Sequence, residues 1–193
     1  PLHADWTFVN EEKYVSLGIW SPLVDTNSEN GMLGLIPKSH LFETNHRGPQ
    51  IPSLFNENNG YLIENYGKLL PIKTGEVVIY NHKLLHFSPP NMSQATRVAI
   101  NLVMVPKDAE IFHYAMFPPS QEVVVFQVKD PNFYLQYDHF QRPQIYTEIE
   151  KEKPRLKEFE RKEIDEVLAK SASRHSFWKS KIESFTKLLT AGK

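Results

Sequence analysis

Cysteine is absent from all 193 residues. That excludes disulfides, thiolate metal ligands and a cysteine nucleophile. Any metal ion must then be held by His, Asp and Glu, donors that suit iron, manganese or zinc. An excess of one charge is also missing. The chain has 22 Lys and Arg against 23 Asp and Glu, a formal net charge of −1, so no broad basic field invites nucleic acid or an anionic membrane. No apolar run approaches the ~18 residues of a membrane-spanning helix. The chain starts at Pro1 rather than Met. We expect residues upstream in a longer protein, with any targeting signal among them, and a cytoplasmic location.

What is present is an ordinary globular composition, 40% hydrophobic and 12% aromatic, enough for one domain with an appendage. The first part reads as β. YVSLGIWSPLV, residues 14 to 24, is rich in β-branched and aromatic residues and predicts a strand. DTNSENG, 25 to 31, is turn chemistry with Asn30-Gly31 as a hairpin signal. MLGLIP follows as a short strand. Residues 43 to 60 read as a long loop, a length often tied to function. EVVIY (76 to 80), LLHF (84 to 87), RVAINLVMVP (97 to 106) and EVVVFQV (122 to 128) are further strands. Short strands separated by turn clusters predict a sandwich, barrel or jelly roll.

The composition shifts near residue 147, which divides a β core over 1–146 from a charged, amphipathic helical tail over 147–193. Within 148 to 170, Leu156, Phe159, Ile164, Val167 and Leu168 fall near helical spacing. After a break at SASRHS, the apolar residues Phe177, Trp178, Ile182, Phe185, Leu188 and Leu189 predict a second helix. Their polar faces mix both charge signs. That favours packing on the chain's own sheet, or a homodimer through these helices, over a nucleic-acid or membrane role.

Chemistry enters at the first residues. His3 and Asp5 sit two positions apart, and in a strand such a pair points to one face. With 8 His and 23 carboxylates in the chain, about one His-x-carboxylate tripeptide arises by chance, so the pair needs support from elsewhere. HKLLHFSPPNMSQATRVAINLVMVP, 82 to 106, supplies it. His86 ends an apolar run, Ser88 is two residues on, and Arg97 follows eleven residues after His86. Two His and one carboxylate on one face of an iron leave positions open for a co-substrate. An Arg fork pairs bidentately with a distant carboxylate, and a hydroxyl such as Ser88 can add a hydrogen bond. His82 is the competitor to His86 but lacks the Ser and Arg spacing. The remaining histidines read as structural. Arg97 as a surface ion pair and Trp20 as plain core are the simpler alternatives.

Taken in order, HADW, the strand with Trp20, D-x-N-x-x-N-G-x-L-x-x-I-P-x-S-H and H-x-S-x-x-N-x-S-x-x-x-R resemble the phytanoyl-CoA dioxygenase-like iron(II)/2-oxoglutarate oxygenases. The resemblance covers about residues 1 to 106, and more weakly to about 140. It implies a double-stranded β-helix, with part of the family's N-terminal region lying outside this chain. It implies His3, Asp5 and His86 as iron ligands, Arg97 with Ser88 on the distal carboxylate of 2-oxoglutarate, and Trp20 lining the cofactor pocket. The implied reaction uses Fe(II), 2-oxoglutarate and O₂ to hydroxylate a C–H bond of a small-molecule substrate, with release of succinate and CO₂. The chain departs from the family at Lys38, where Gly is usual. Two other functions remain open: a cupin-like metal enzyme that does not use 2-oxoglutarate and so does not need Arg97, and a non-enzymatic jelly-roll binding module.

Overall fold

The computed structural model describes residues 1–169 except 131, 137, 139, 145 and 147. The chain divides into two compact units, Pro1–Glu158 and Phe159–Lys193. Among the described residues, the first unit carries nine strands: β1 (Leu17–Pro22), β2 (Leu33–Leu35), β3 (Lys68–Leu70), β4 (Val78–Asn81), β5 (His86–Phe87), β6 (Ala99–Met104), β7 (Ile111–Met116), β8 (Val123–Val128) and β9 (Glu148–Glu152). Two short helices accompany them, α1 (Asn59–Tyr66) and α2 (Phe133–Gln136).

The strands form three antiparallel sheets in the orders β4-β1-β6, β3-β2-β5 and β7-β8-β9. In β1, burial alternates along LGIWSP, so Gly18, Trp20 and Pro22 face inward, as period-2 patterning requires. Trp20 from β1 and Tyr80 from β4 meet Leu33 from β2, together with Ile72 and Leu84. This cluster places the first two sheets face to face across one core. Each large side chain so buried contributes roughly 1.5–3 kcal/mol. The fold is mainly β, a double-stranded β-helix. The DTNSENG turn carries the chain from β1 to β2. Gly31 ends it at φ 77, with the Pro89 carbonyl 2.9 Å from where a Cβ would sit, so this position suits Gly.

Several stretches differ from the sequence reading, β3 and α2 among them. Glu148–Glu152, expected to open the helical tail, is a strand paired with β8. Glu150 and Lys151 in its middle are exposed on the sheet edge, and charge there is a common protection of edge strands. β7, IFHYAM, was not anticipated. The 43–60 loop ends in a 3-10 turn at Asn56–Asn58 that runs into α1. In the second unit, residues 161–169 are helical, with Ile164 and Leu168 buried one turn apart. The second expected helix, from Phe177 to Leu189, lies outside the described residues. Among the described residues, no helix is long and apolar enough to cross a membrane.

Candidate metal centre

His3 lies ahead of β1, yet it pairs with the strand that carries His86. The His3 N–H donates to the His86 carbonyl at 3.0 Å, and the His86 N–H donates to the His3 carbonyl at 2.8 Å. This bridge adds His3 to the edge of β5 and brings the two rings to a centroid separation of 4.3 Å. Asp5, two residues on, joins them. One donor atom from each of His3, Asp5 and His86 lies within 4.8 Å of the others, and His86 Nε2 is 3.8 Å from Asp5 Oδ1.

Each histidine is held by its other nitrogen. His3 Nδ1 is 3.0 Å from the Pro1 carbonyl, and His86 Nδ1 is 3.0 Å from the Leu84 carbonyl. A carbonyl only accepts, so the proton sits on Nδ1 and each neutral ring presents the Nε2 lone pair, the form that ligates a metal. Burial pushes the His86 pKa below its ordinary value, partly offset by the Leu84 hydrogen bond and the Asp5 charge. The neutral ring is therefore favoured.

The supports of this cluster come from distant parts of the chain. Ser39, buried at the end of the I-P-x-S-H element, accepts the Leu85 N–H on its hydroxyl at 2.7 Å. Ile36 N–H donates to the Leu85 carbonyl at 2.9 Å. Together these clamp the residue next to His86. The turn preceding Ser39 needs a left-handed residue, and Lys38 fills it at φ 71, a conformation that costs a non-Gly residue about 1–2 kcal/mol. On the other side, Arg47 from the long loop donates through Nε to the Asp5 carbonyl at 2.7 Å. Its two terminal nitrogens grip Glu11 at 3.0 and 2.5 Å. Thr7 N–H donates to the Arg47 carbonyl, and Arg47 N–H to the Thr7 hydroxyl. The 43–60 loop thus pins the backbone that carries Asp5.

A cavity of about 290 Å³ opens onto the cluster, lined by His3, Asp5, His86, Trp20, Tyr80 and Ser88 among others. Arg97 does not line it. Its guanidinium carbon lies 5.5 Å from the centre of the ring of Trp20, a residue of the cavity lining. Among the described residues it makes no ion pair within 4 Å. A second cavity of about 210 Å³ also reaches His3 and is walled by Trp6, Ile51, Leu54 and Phe55. His82 stands outside the three-residue cluster but 3.8 Å from Asp5, on the Oδ2 side.

Sequence reasoning missed Tyr80 and Arg47. Tyr80 faces the cavity and Asp5; burial, then the Asp5 charge and a hydrogen bond to it, push its phenol well above the ordinary range. Tyr80 stands opposite Gly18 across the sheet, where an added Cβ would lie 2.5 Å from the ring, a pairing that only the fold reveals. Arg47 carried no local signal, because its partners lie about 40 positions away.

Two histidines and one carboxylate converge on a cavity, and this donor set, with both Nε2 atoms freed, fits a divalent first-row ion. Residues 1–99 match the phytanoyl-CoA dioxygenase (PhyH) family, and the chain belongs to it. It is 31% identical over 104 residues to phytanoyl-CoA dioxygenase domain-containing protein 1 of Rattus norvegicus, covering 50% of this chain and 36% of that protein. A homologue of that protein in Dictyostelium discoideum is 26% identical over 121 residues, or 58% of this chain and 42% of the relative. The chain therefore spans about four-tenths of the length of these relatives. Among solved structures, the non-heme alpha ketoglutarate dependent carbocyclase SnoK from nogalamycin biosynthesis superposes with TM-score 0.49 at 20% identity, covering 78% of this chain and 55% of that one. The epimerase SnoN from the same biosynthesis gives TM-score 0.43 at 20% identity over 57% and 40%.

Proposed function

We propose that this chain carries the metal site of an iron(II)/2-oxoglutarate-dependent oxygenase that hydroxylates a C–H bond of a small molecule. The observation that carries the reading is the pairing of a 2-His-1-carboxylate set with two imidazoles whose Nε2 atoms are freed by backbone carbonyls. Family membership points the same way, since its described relatives are named as phytanoyl-CoA dioxygenases. In this reading His3, Asp5 and His86 hold the ion. Ser88 and Trp20 line the co-substrate's place. Arg97 supplies the cation for the far carboxylate of 2-oxoglutarate, swinging from its stack on Trp20. The bound metal, with 2-oxoglutarate and O₂, supplies the oxidising chemistry. The protein positions the reactants and keeps water from the site. Trp20, Leu33 and Phe87, all buried, form the apolar side of that enclosure.

The test is anaerobic titration of the protein with Fe(II) and 2-oxoglutarate, followed by a substrate screen read by succinate release. Binding of both, with succinate formed only when a substrate is present, is the expected result. A second reading rests on the position of Arg97 outside the cavity lining: a cupin-like metal enzyme that does not use 2-oxoglutarate. Under it, Fe(II) binds and 2-oxoglutarate does not.

A further inference from the structure

Asp5 has two carboxylate oxygens, and the cluster uses one. Oδ1 faces His86, while Oδ2 is fully shielded from solvent and has no hydrogen-bond partner. On the Oδ2 side, 3.8 Å away, stands His82 Nε2. His82 is wholly buried, and both its ring nitrogens also lack a well-formed hydrogen bond. Unsatisfied buried polar groups facing each other are costly, and one hydrogen bond between them removes the deficits at Oδ2 and Nε2.

We propose that His82 is a positioning residue for the metal site: its Nε2–H donates to Asp5 Oδ2 and turns Oδ1 towards the ion. The inference rests on the metal reading above. Outer partners of ligating carboxylates fix ligand orientation, and losing them typically costs about 10–100-fold in metal affinity. The local chain is built to hold the ring in place. His82 N–H donates to the Ser16 carbonyl at 3.1 Å, which ties the turn after β4 to the residue preceding β1. The Phe8 ring packs 5.6 Å from the imidazole, and Arg47 fixes the Asp5 backbone from the loop side. The carboxylate side chain is then the part left to orient, and His82 is the group that faces its spare oxygen.

The experiment uses Co(II) as a spectroscopic probe of the full 193-residue chain. His82→Leu should lower Co(II) affinity by about 10–100-fold and alter the d–d spectrum. His82→Gln, which retains a donor at similar reach, should restore most of the affinity. In an Asp5→Ala background, His82→Leu should change Co(II) affinity by less than about twofold, because the two act as one unit. Should His82→Leu fail to fold, nitrogen NMR of the Zn(II)-loaded wild type reads the same point, and a proton on His82 Nε2 is expected. Unchanged Co(II) affinity in His82→Leu, an equal loss in the Asp5→Ala background, or an unprotonated Nε2 overturns the proposal while leaving the metal site standing. A wild type that binds no Co(II) overturns both.

Discussion

In the sheet β7-β8-β9, five of the six residues of the middle strand are buried; in β4-β1-β6, five of the six residues of β6 are exposed. Both strands are apolar, VVVFQV and AINLVM. The first lies between two partners and is covered on both faces, with Tyr114, Val123 and Val125 forming their own core. The second pairs on one side with β1, and Ile100, Leu102, Val103 and Met104 remain open. The region that holds the cluster also holds the unpaired polar atoms, Asp5 Oδ2 and both His82 nitrogens. Apolar burial is concentrated in one part of the first unit and the candidate metal cluster lies in the other. Polar burial occurs on both sides, since His113 of β7 is 1% exposed.

The sharpest way to break this contrast is Phe126→Ala. Phe126 is 1% exposed in β8, and truncating such a ring costs about 3–5 kcal/mol. Denaturant unfolding should show that loss, while the folded fraction keeps its metal affinity. A loss under about 1 kcal/mol would mean that the third sheet is not the stabilising one.

Asp5→Ala should do the reverse. Metal affinity should fall on the order of 100-fold or more, since one of three ligands is gone. Apo stability should change by less than about 1 kcal/mol, because the cost of burying the carboxylate leaves together with its contacts to Tyr80 and His82. Calorimetric metal titration and thermal melting read the two effects separately. A strongly destabilised apo protein would show that the cluster is structural after all.

The cluster was more legible than its supports. His3 and Asp5 share a face because of strand periodicity, and His86 was singled out by Ser88 and Arg97 at fixed offsets. Those are short-range signals. Arg47, Tyr80 and the Ser39 clamp act across 40 or more positions, and a single sequence holds no trace of such pairings. The strand β9 was missed for a different reason: EIEKE carries the composition of a solvated helix, and only pairing with β8 makes it a strand. β6 and β8 were both legible as strands, yet nothing in their letters separates the buried one from the exposed one. Burial depends on what lies across the sheet.

Arg97 tests the co-substrate reading. Arg97→Lys keeps the charge and loses both the bidentate fork and much of the stacking. Affinity for 2-oxoglutarate should fall about tenfold, near 1.4 kcal/mol, with Fe(II) affinity unchanged. Equal 2-oxoglutarate affinity would remove Arg97 from the site and favour the cupin-like reading. Smaller still is Lys38→Gly. It relieves a left-handed non-Gly residue but adds unfolded-state freedom, so a net gain of about 0.5–1 kcal/mol is expected in the melting curve. Metal affinity should hold, because Ser39 keeps its hydrogen bond to Leu85.

The smallest expected effect is the most informative about β6. Leu102 is 54% exposed and stands opposite Ile19 in β1. Leu102→Ser removes apolar surface already in water, so its cost should stay within about 0.5 kcal/mol, whereas Val125→Ser in β8 should cost several times more. Equal, small costs would mean that burial in β8 contributes little. A cost above about 1 kcal/mol for Leu102→Ser would mean that something covers β6 in solution. A second copy of this chain would then show itself directly, because the cost would depend on protein concentration and light scattering would give a dimer mass that falls in the variant. With a concentration-independent cost and a monomer mass, the cover must come from within the chain itself. Side chains on one exposed strand would thus decide whether the open face of β6 is a surface or an interface.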